Sequence, residues 1–336
     1  MAKAAGNIAP SGVAGRSALP SAALAVGGAL VAVLFHPTVG LPIAGTALAS
    51  LAMRGHVWLG AFALSLGTVL ATALADSSVY VVAVPLTGVP VTARAPIVFG
   101  ALMVASLAAV GPGAVSLLRR RSALGSVVVI ALALAGLQLA ALALLASGAG
   151  SSLGEYVGGA TRSLGEQAGL DEEIALLLVQ MWPGALVTAS AVAAFLAVAG
   201  VGRASVRLGV PLNRLPSLAM IDLDPRTVIV PIIAVALLAA GRFAEEVGLF
   251  TLTGINILVV ARWVFFLQGL AVFAGLYDRG KVSRPFRAFG FVLLGVTEAF
   301  APVVSLTGLA DIWLNIRRLP RENSAPGETH GSAGVD

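Results

Sequence analysis

The run "NILVVARWVFFLQGL", Asn256 to Leu270, is apolar except for an arginine at its centre and an amide six residues to either side. An arginine at the middle of a membrane span costs about 2.5–3.5 kcal/mol on insertion scales and usually faces a bundle interior or a wet cavity. If this stretch lies in lipid, Arg262 therefore needs a partner, and the rest of the chain has to supply it.

Composition places the stretch in lipid. Of 336 residues, 58% are hydrophobic and 11% charged, and mean hydropathy is +0.96; a soluble domain carries about 25% charge. The charges sit in short gaps between long uncharged runs. The chain reads as an all-α, polytopic transmembrane helix bundle of about 8–9 spans, since each crossing takes about 18–20 apolar residues. The lipid bilayer is its first partner. A net charge of +5 and a pI near 10.4 would suggest nucleic acid for a soluble protein. Here the Lys and Arg flank apolar runs, where they set topology, so no nucleic acid is expected. Cysteine is absent, which excludes disulfides, thiol catalysis and cysteine-ligated metal.

Three regions follow: a polar N-terminal segment 1–17, a transmembrane helical domain 18–320, and a polar tail 321–336 expected to be disordered. Lys3 and Arg16 precede an apolar run in the manner of a secretory signal, but further hydrophobic segments follow directly, so an uncleaved first span is expected. The spans are placed at residues 18–35, 39–53, 57–75, 97–118, 123–146, 174–200, 227–241, 249–277 and 288–309, the second short enough to be partly re-entrant. Between the third and fourth, "SSVYVVAVPLTGVPVTARAP" carries Pro85, Pro90 and Pro96 and reads as a loop or broken element. Arg119, Arg120 and Arg121 mark an inner end, and the acidic connection around Glu155, Glu166, Asp171, Glu172 and Glu173 an outer one. The last span raises a conflict. If it crosses fully, Arg317 and Arg318 lie outside against the charge rule, so either it bends back near Pro302 or an earlier assignment is wrong.

The depth of Arg262 suggests its partner. Arg262 lies 15 residues before Tyr277, and Glu298 ten residues into the next span, heights of about 22 and 15 Å from the same side at 1.5 Å per residue. An extended arginine covers the difference, so an Arg262–Glu298 pair is expected. Glu245 and Glu246 sit near the outer end of their span and fit worse. Asn256 and Gln268 lie about 120° from Arg262 around the helix and should engage different neighbours. Arg262, Glu298, Asn256 and Gln268 are the candidate substrate-binding residues. The competing reading is structural: an ion pair that fixes packing, and amides that join helices through bonds worth about 0.6 kcal/mol on average.

A second pattern lies in "SAALAVGGALVA", where Ala23, Gly27, Gly28 and Ala32 repeat small side chains at four-residue spacing. Such a face lets helices approach closely; it could meet another span of this chain or a separate membrane subunit. Trp58 and Trp182 near span ends read as interfacial anchors. "IDLDPR" at Ile221 to Arg226 puts two carboxylates in a loop, best explained by Asp224-Pro225 starting a helix. His36, His56 and His330 are too far apart for a metal motif, and no P-loop, GxGxxG, HExxH or GxSxG occurs. No metal, cofactor or enzymatic activity is expected.

The stretch Asn256 to Leu276, with its aromatic pair before Gln268-Gly269-Leu270, and "GLADIWLNIRRL", Gly308 to Leu319, together resemble the YybS-like family of bacterial predicted membrane proteins, domain of unknown function 2232. The matched ending is Asp311, Trp313, Asn315 and Arg317. The resemblance implies a multi-pass protein of the bacterial inner membrane. That family is in turn similar to the substrate-binding components of energy-coupling-factor transporters, whose small-residue first helix meets a coupling subunit. The implied function is a transport-related, small-solute-binding membrane component served by a separate membrane coupling subunit or ATPase pair. The alternative is a cell-envelope scaffold or assembly factor without a ligand.

Overall fold

The computed structural model describes residues 18–34, 37–74, 95–167, 169–243 and 247–319. The expected N-terminal segment, the proline-rich piece, His36, Glu245, Glu246 and the C-terminal tail therefore fall wholly or largely outside the described residues. All long elements among the described residues are helices: α1 (Leu19–Leu34), α2 (Pro37–Met53), α3 (Val57–Leu74), α4 (Ala95–Ala108), α5 (Ala114–Arg120), α6 (Ala123–Gly148), α7 (Leu153–Gln167), α8 (Glu172–Leu208), α9 (Ile229–Phe243), α10 (Val247–Arg279), α11 (Arg284–Phe300) and α12 (Val303–Leu314). A π-helical turn at Ala109–Gly113 joins α4 to α5. It accommodates Pro112, whose missing N–H would break an α-helical ladder.

Among the described residues, five segments are long and apolar enough to cross a membrane: Gly100–Arg120, Ala123–Gly148, Glu172–Leu208, Pro225–Phe243 and Gly248–Arg279. Counting the bent pair α11–α12 gives up to six. The expected count of 8–9 spans is thus not confirmed among the described residues, for two physical reasons. The helices α1 to α3 are 16, 17 and 18 residues long, about 24–27 Å against a hydrocarbon core of about 30 Å. The final apolar run is also not one helix: it breaks at Ala301-Pro302, and its halves are bent by 102°.

The chain divides into two compact units, residues 1–215 with 236–260, and residues 216–235 with 261–336. The core of the first is built by small residues. A Cβ on Gly28 would lie 2.5 Å from the backbone nitrogen of Ala44, so α1 and α2 touch backbone to backbone. Gly40 abuts Ala32 in the same interface. Ala25, Ala29, Ala44 and Ala49 are buried there. Of the stripe read from sequence, Gly28 and Ala32 serve this internal contact, while Ala23 is exposed and Gly27 has nothing within 4 Å of its would-be Cβ. Helix α8 joins the same core through Ala193, Ala194, Ala197 and Val201.

Helix α7 is amphipathic and packs Tyr156 beside Leu142, Ala146 and Trp182. Its start is fixed by a reciprocal cap. The backbone N–H and hydroxyl of Ser152 both donate to Glu155 Oε2, at 2.9 and 2.7 Å, and the Glu155 N–H donates back to the Ser152 hydroxyl. Those bonds hold the Glu155 carboxyl below the usual carboxylate range.

Candidate functional site

The second unit is organised by the hairpin of α11 and α12 against the second half of α10. Helix α11 starts with Pro285 in its first turn, and its inward face carries Arg287 and Glu298. Arg287 ties it to the end of α10 through Asp278 Oδ1 at 2.5 Å and the carbonyls of Val282 and Tyr277. After the bend, α12 returns along α10 at very close range. A Cβ on Gly308 would overlap the Phe265 carbonyl, and one on Gly269 would overlap that of Val304. Only glycine allows this approach, which explains the two glycines in the stretches quoted above.

Arg262 and Glu298 meet at the turn of the hairpin. Arg262 Nε donates to Glu298 Oε1 at 3.0 Å, and Nη2 donates to the Glu298 carbonyl. The carboxylate does more than balance charge. Its Oε2 accepts from the N–H groups of Val304 and Ser305 at 3.0 and 3.1 Å, and Oε1 also accepts from the Ser305 hydroxyl at 2.5 Å. Glu298 therefore caps the first turn of α12 from across the bend, where no residue of α12's own start provides a side-chain cap. Glu298 is 11% exposed and Arg262 48%. Among the described residues Nη1 of Arg262 has no hydrogen-bond partner, so the guanidinium keeps donors for a further group.

Gln268 belongs to a different cluster, one helical turn and a half along α10. Its Nε2 donates to Asp311 Oδ2 at 3.0 Å and Asp222 Oδ1 at 3.1 Å. Arg317 completes the set: Nε donates to Asp311 Oδ2 at 3.0 Å, Nη2 to Asp222 Oδ1 at 3.0 Å, and Nη1 to the carbonyls of Ala219 and Ile221. Gln268 and Asp311 are fully buried and Arg317 nearly so. Two carboxylates and one guanidinium, all hydrogen-bonded, make up the charged part of the cluster, with Gln268 Oε1 buried beside them and without a hydrogen-bond partner among the described residues.

Asn256 is elsewhere, in the first unit. Its Oδ1 accepts from the Gly184 N–H at 2.6 Å and its Nδ2 donates to the Gln180 carbonyl at 2.8 Å. Gln180 and Gly184 are the i−4 and i positions of one helical hydrogen bond in α8. The asparagine amide thus bonds both groups of one α8 turn, beside Pro183, which has no N–H to give to the ladder. The structure brings Arg262 and Glu298 together and places Gln268 and Asn256 in two separate networks.

The matched ending divides likewise. Asp311 and Arg317 form the buried pair. Asn315, in the left-handed region with φ 43°, ends α12 and exchanges two 2.9 Å bonds with Leu319. Trp313 is exposed. Arg279 then fastens this end, donating to the carbonyls of Ile316 and Arg317. Because Arg279 closes α10, residues 316–318 return to the end at which α11 begins. The bend at Pro302 is the first of the two alternatives that the charge conflict left open.

Two residues of these clusters escaped the sequence reading. Asp224 behaves as expected, capping a short 3₁₀ turn by accepting from the Arg226 N–H at 2.8 Å with Pro225 next to it. Asp222, in the same loop, meets Arg317 from 95 residues away in sequence, a separation at which no local pattern marks the pair. Ser305 gave no sequence signal. Among the described residues no group of three or more His, Cys, Asp or Glu could hold a metal ion.

Comparison with curated proteins and with solved structures returns no match. Comparison with protein families returns one description, predicted membrane protein (DUF2232), matching residues 29–312. That match spans most of the core of the first unit, the Arg262–Glu298 pair, Asp222, Gln268 and Asp311, and the hairpin as far as Ile312, leaving Arg317 beyond it, and the chain belongs to the DUF2232 family of predicted membrane proteins.

Proposed function

We propose that this protein is a non-enzymatic, transport-related component of the bacterial inner membrane, in which Arg262 binds an anionic or carbonyl-bearing group of a small solute. The observation that supports the reading is the half-open guanidinium. Nε and Nη2 are held by Glu298, the side chain is 48% exposed, and Nη1 has no bond to a described residue, so an oriented guanidinium keeps donors for a ligand. Energy would come from a separate membrane coupling subunit or an ATPase pair. The scaffold reading draws on a different observation, the Asp222–Gln268–Asp311–Arg317 cluster, whose donors are consumed within the fold.

Native mass spectrometry of the full-length protein, purified in detergent, separates the two. The transport reading expects a retained small solute that Arg262→Gln releases while Gly295→Ala keeps it. Absence of any retained solute together with copurifying cell-wall or division proteins would favour the scaffold.

A further inference from the structure

At the end where α10, α11 and the chain after α12 converge, the fold collects Arg279, Lys281, Arg284, Arg287 and Arg318 around a single acid, Asp278. Arg287 is committed to Asp278 and Arg279 to the carbonyls of Ile316 and Arg317. The side chains of Lys281, Arg284 and Arg318 are exposed and have no hydrogen-bond or ion-pair partner among the described residues. Arg318 joins this corner only because the hairpin turns back at Pro302.

A second feature starts at the same corner. Helix α11 turns Arg287, Phe291 and Glu298 inward, and its opposite face is an uninterrupted apolar stripe of Phe286, Phe289, Leu293, Val296 and Phe300, spaced three or four apart. These side chains are 50–89% exposed. The stripe runs away from the cations along the helix, as an acyl chain runs from its headgroup. Trp313 and Leu314, also exposed, flank the corner from α12.

We propose that this corner is a binding site for one anionic phospholipid, its phosphodiester held by Lys281, Arg284 and Arg318 and an acyl chain laid along the α11 stripe. The charge balance selects an anionic over a zwitterionic headgroup, since each cation near an anionic surface contributes on the order of 1 kcal/mol. The stripe selects a lipid over a soluble phosphate, because a headgroup alone would leave it without a complementary surface.

The test is native mass spectrometry of the full-length protein in micelles titrated with dioleoyl phosphatidylglycerol or dioleoyl phosphatidylcholine. The wild type should retain one phosphatidylglycerol with a preference of about tenfold or more. The triple variant Lys281→Gln, Arg284→Gln, Arg318→Gln should lose that preference. Arg119→Gln, Arg120→Gln, Arg121→Gln, which removes equal charge elsewhere, should keep it. Equal retention of both lipids by the wild type, or equal loss in the two triple variants, overturns the site. If the first triple variant does not fold, the charge-keeping set Lys281→Arg, Arg284→Lys, Arg318→Lys decides, because its preference should persist. Glycerol 3-phosphate in excess should leave the lipid bound; displacement by it would show that the headgroup alone is recognised and contradict the lipid assignment.

Discussion

Glu298 accepts a hydrogen bond from Arg262 through one carboxylate oxygen and caps the first turn of α12 with the other. One side chain thus neutralises a cation on α10 and starts the helix that returns along it. The two roles are energetically unequal, and mutation can separate them.

Removing Glu298 orphans two buried N–H groups, the Ser305 hydroxyl keeping the Arg262 carbonyl as an acceptor, whereas removing Arg262 leaves a carboxylate still held by those N–H groups and the hydroxyl. Glu298→Ala should destabilise by about 2–3 kcal/mol, and Arg262→Ala by about 1 kcal/mol, since the guanidinium is half open to its surroundings. Unfolding in mixed micelles measures both. The double variant should show a coupling of about 0.5–1 kcal/mol; strict additivity would mean that the pair is not energetically joined.

Two glycines on the hairpin give opposite expectations. Gly308→Ala places a methyl on the Phe265 carbonyl and should cost about 3 kcal/mol or block assembly of α12 on α10. Gly295→Ala meets nothing within 4 Å and should be neutral or stabilise by about 0.5–1 kcal/mol. Equal melting temperatures for the two would contradict the close approach.

Arg317 reaches two acids and two carbonyls with a planar five-donor group, a geometry that lysine does not reproduce. Arg317→Ala should cost about 3–5 kcal/mol by leaving Asp222 and Asp311 uncompensated, and Arg317→Lys should recover only part of it. If lysine restores full stability, the fork of hydrogen bonds is dispensable.

The cap of α7 provides a pH dependence. Glu155 has a folded pKa below its unfolded one, so its contribution is present above the unfolded pKa and is lost as pH falls through the folded value. The protection of amides 153–158, their exchange rate relative to the intrinsic rate at the same pH, should therefore weaken in acid, and Glu155→Gln should flatten that response. An unchanged profile in the variant would rule out the carboxylate as its source.

Much of this was legible in the sequence and some was not, for identifiable reasons. Composition alone gave the helical membrane class, and the depths of Arg262 and Glu298 along neighbouring helices gave their pairing, because 1.5 Å per residue is a rigid ruler. Hydropathy could not count the spans. It reads α1 to α3 as crossings although each is short, and it reads across Pro302 because the residues on both sides are apolar. Asp222 was out of reach, since it meets Gln268 and Arg317 from a loop about 45 and 95 residues away in sequence. Asn256 was expected to join helices and does so, but its two partners, Gly184 and Gln180, depend on the register of α8 against α10, which spacing along one helix does not contain.

The central claim is that the α11–α12 pair enters and leaves at one end of α10 instead of crossing. The chain contains no cysteine, so single thiols can be placed without background. Membrane-impermeant maleimide applied to sealed vesicles should label Lys281→Cys and Arg318→Cys from the same side. Labelling of the two positions from opposite sides would mean that the final segment spans the bilayer, and the hairpin with its clusters would have to be abandoned.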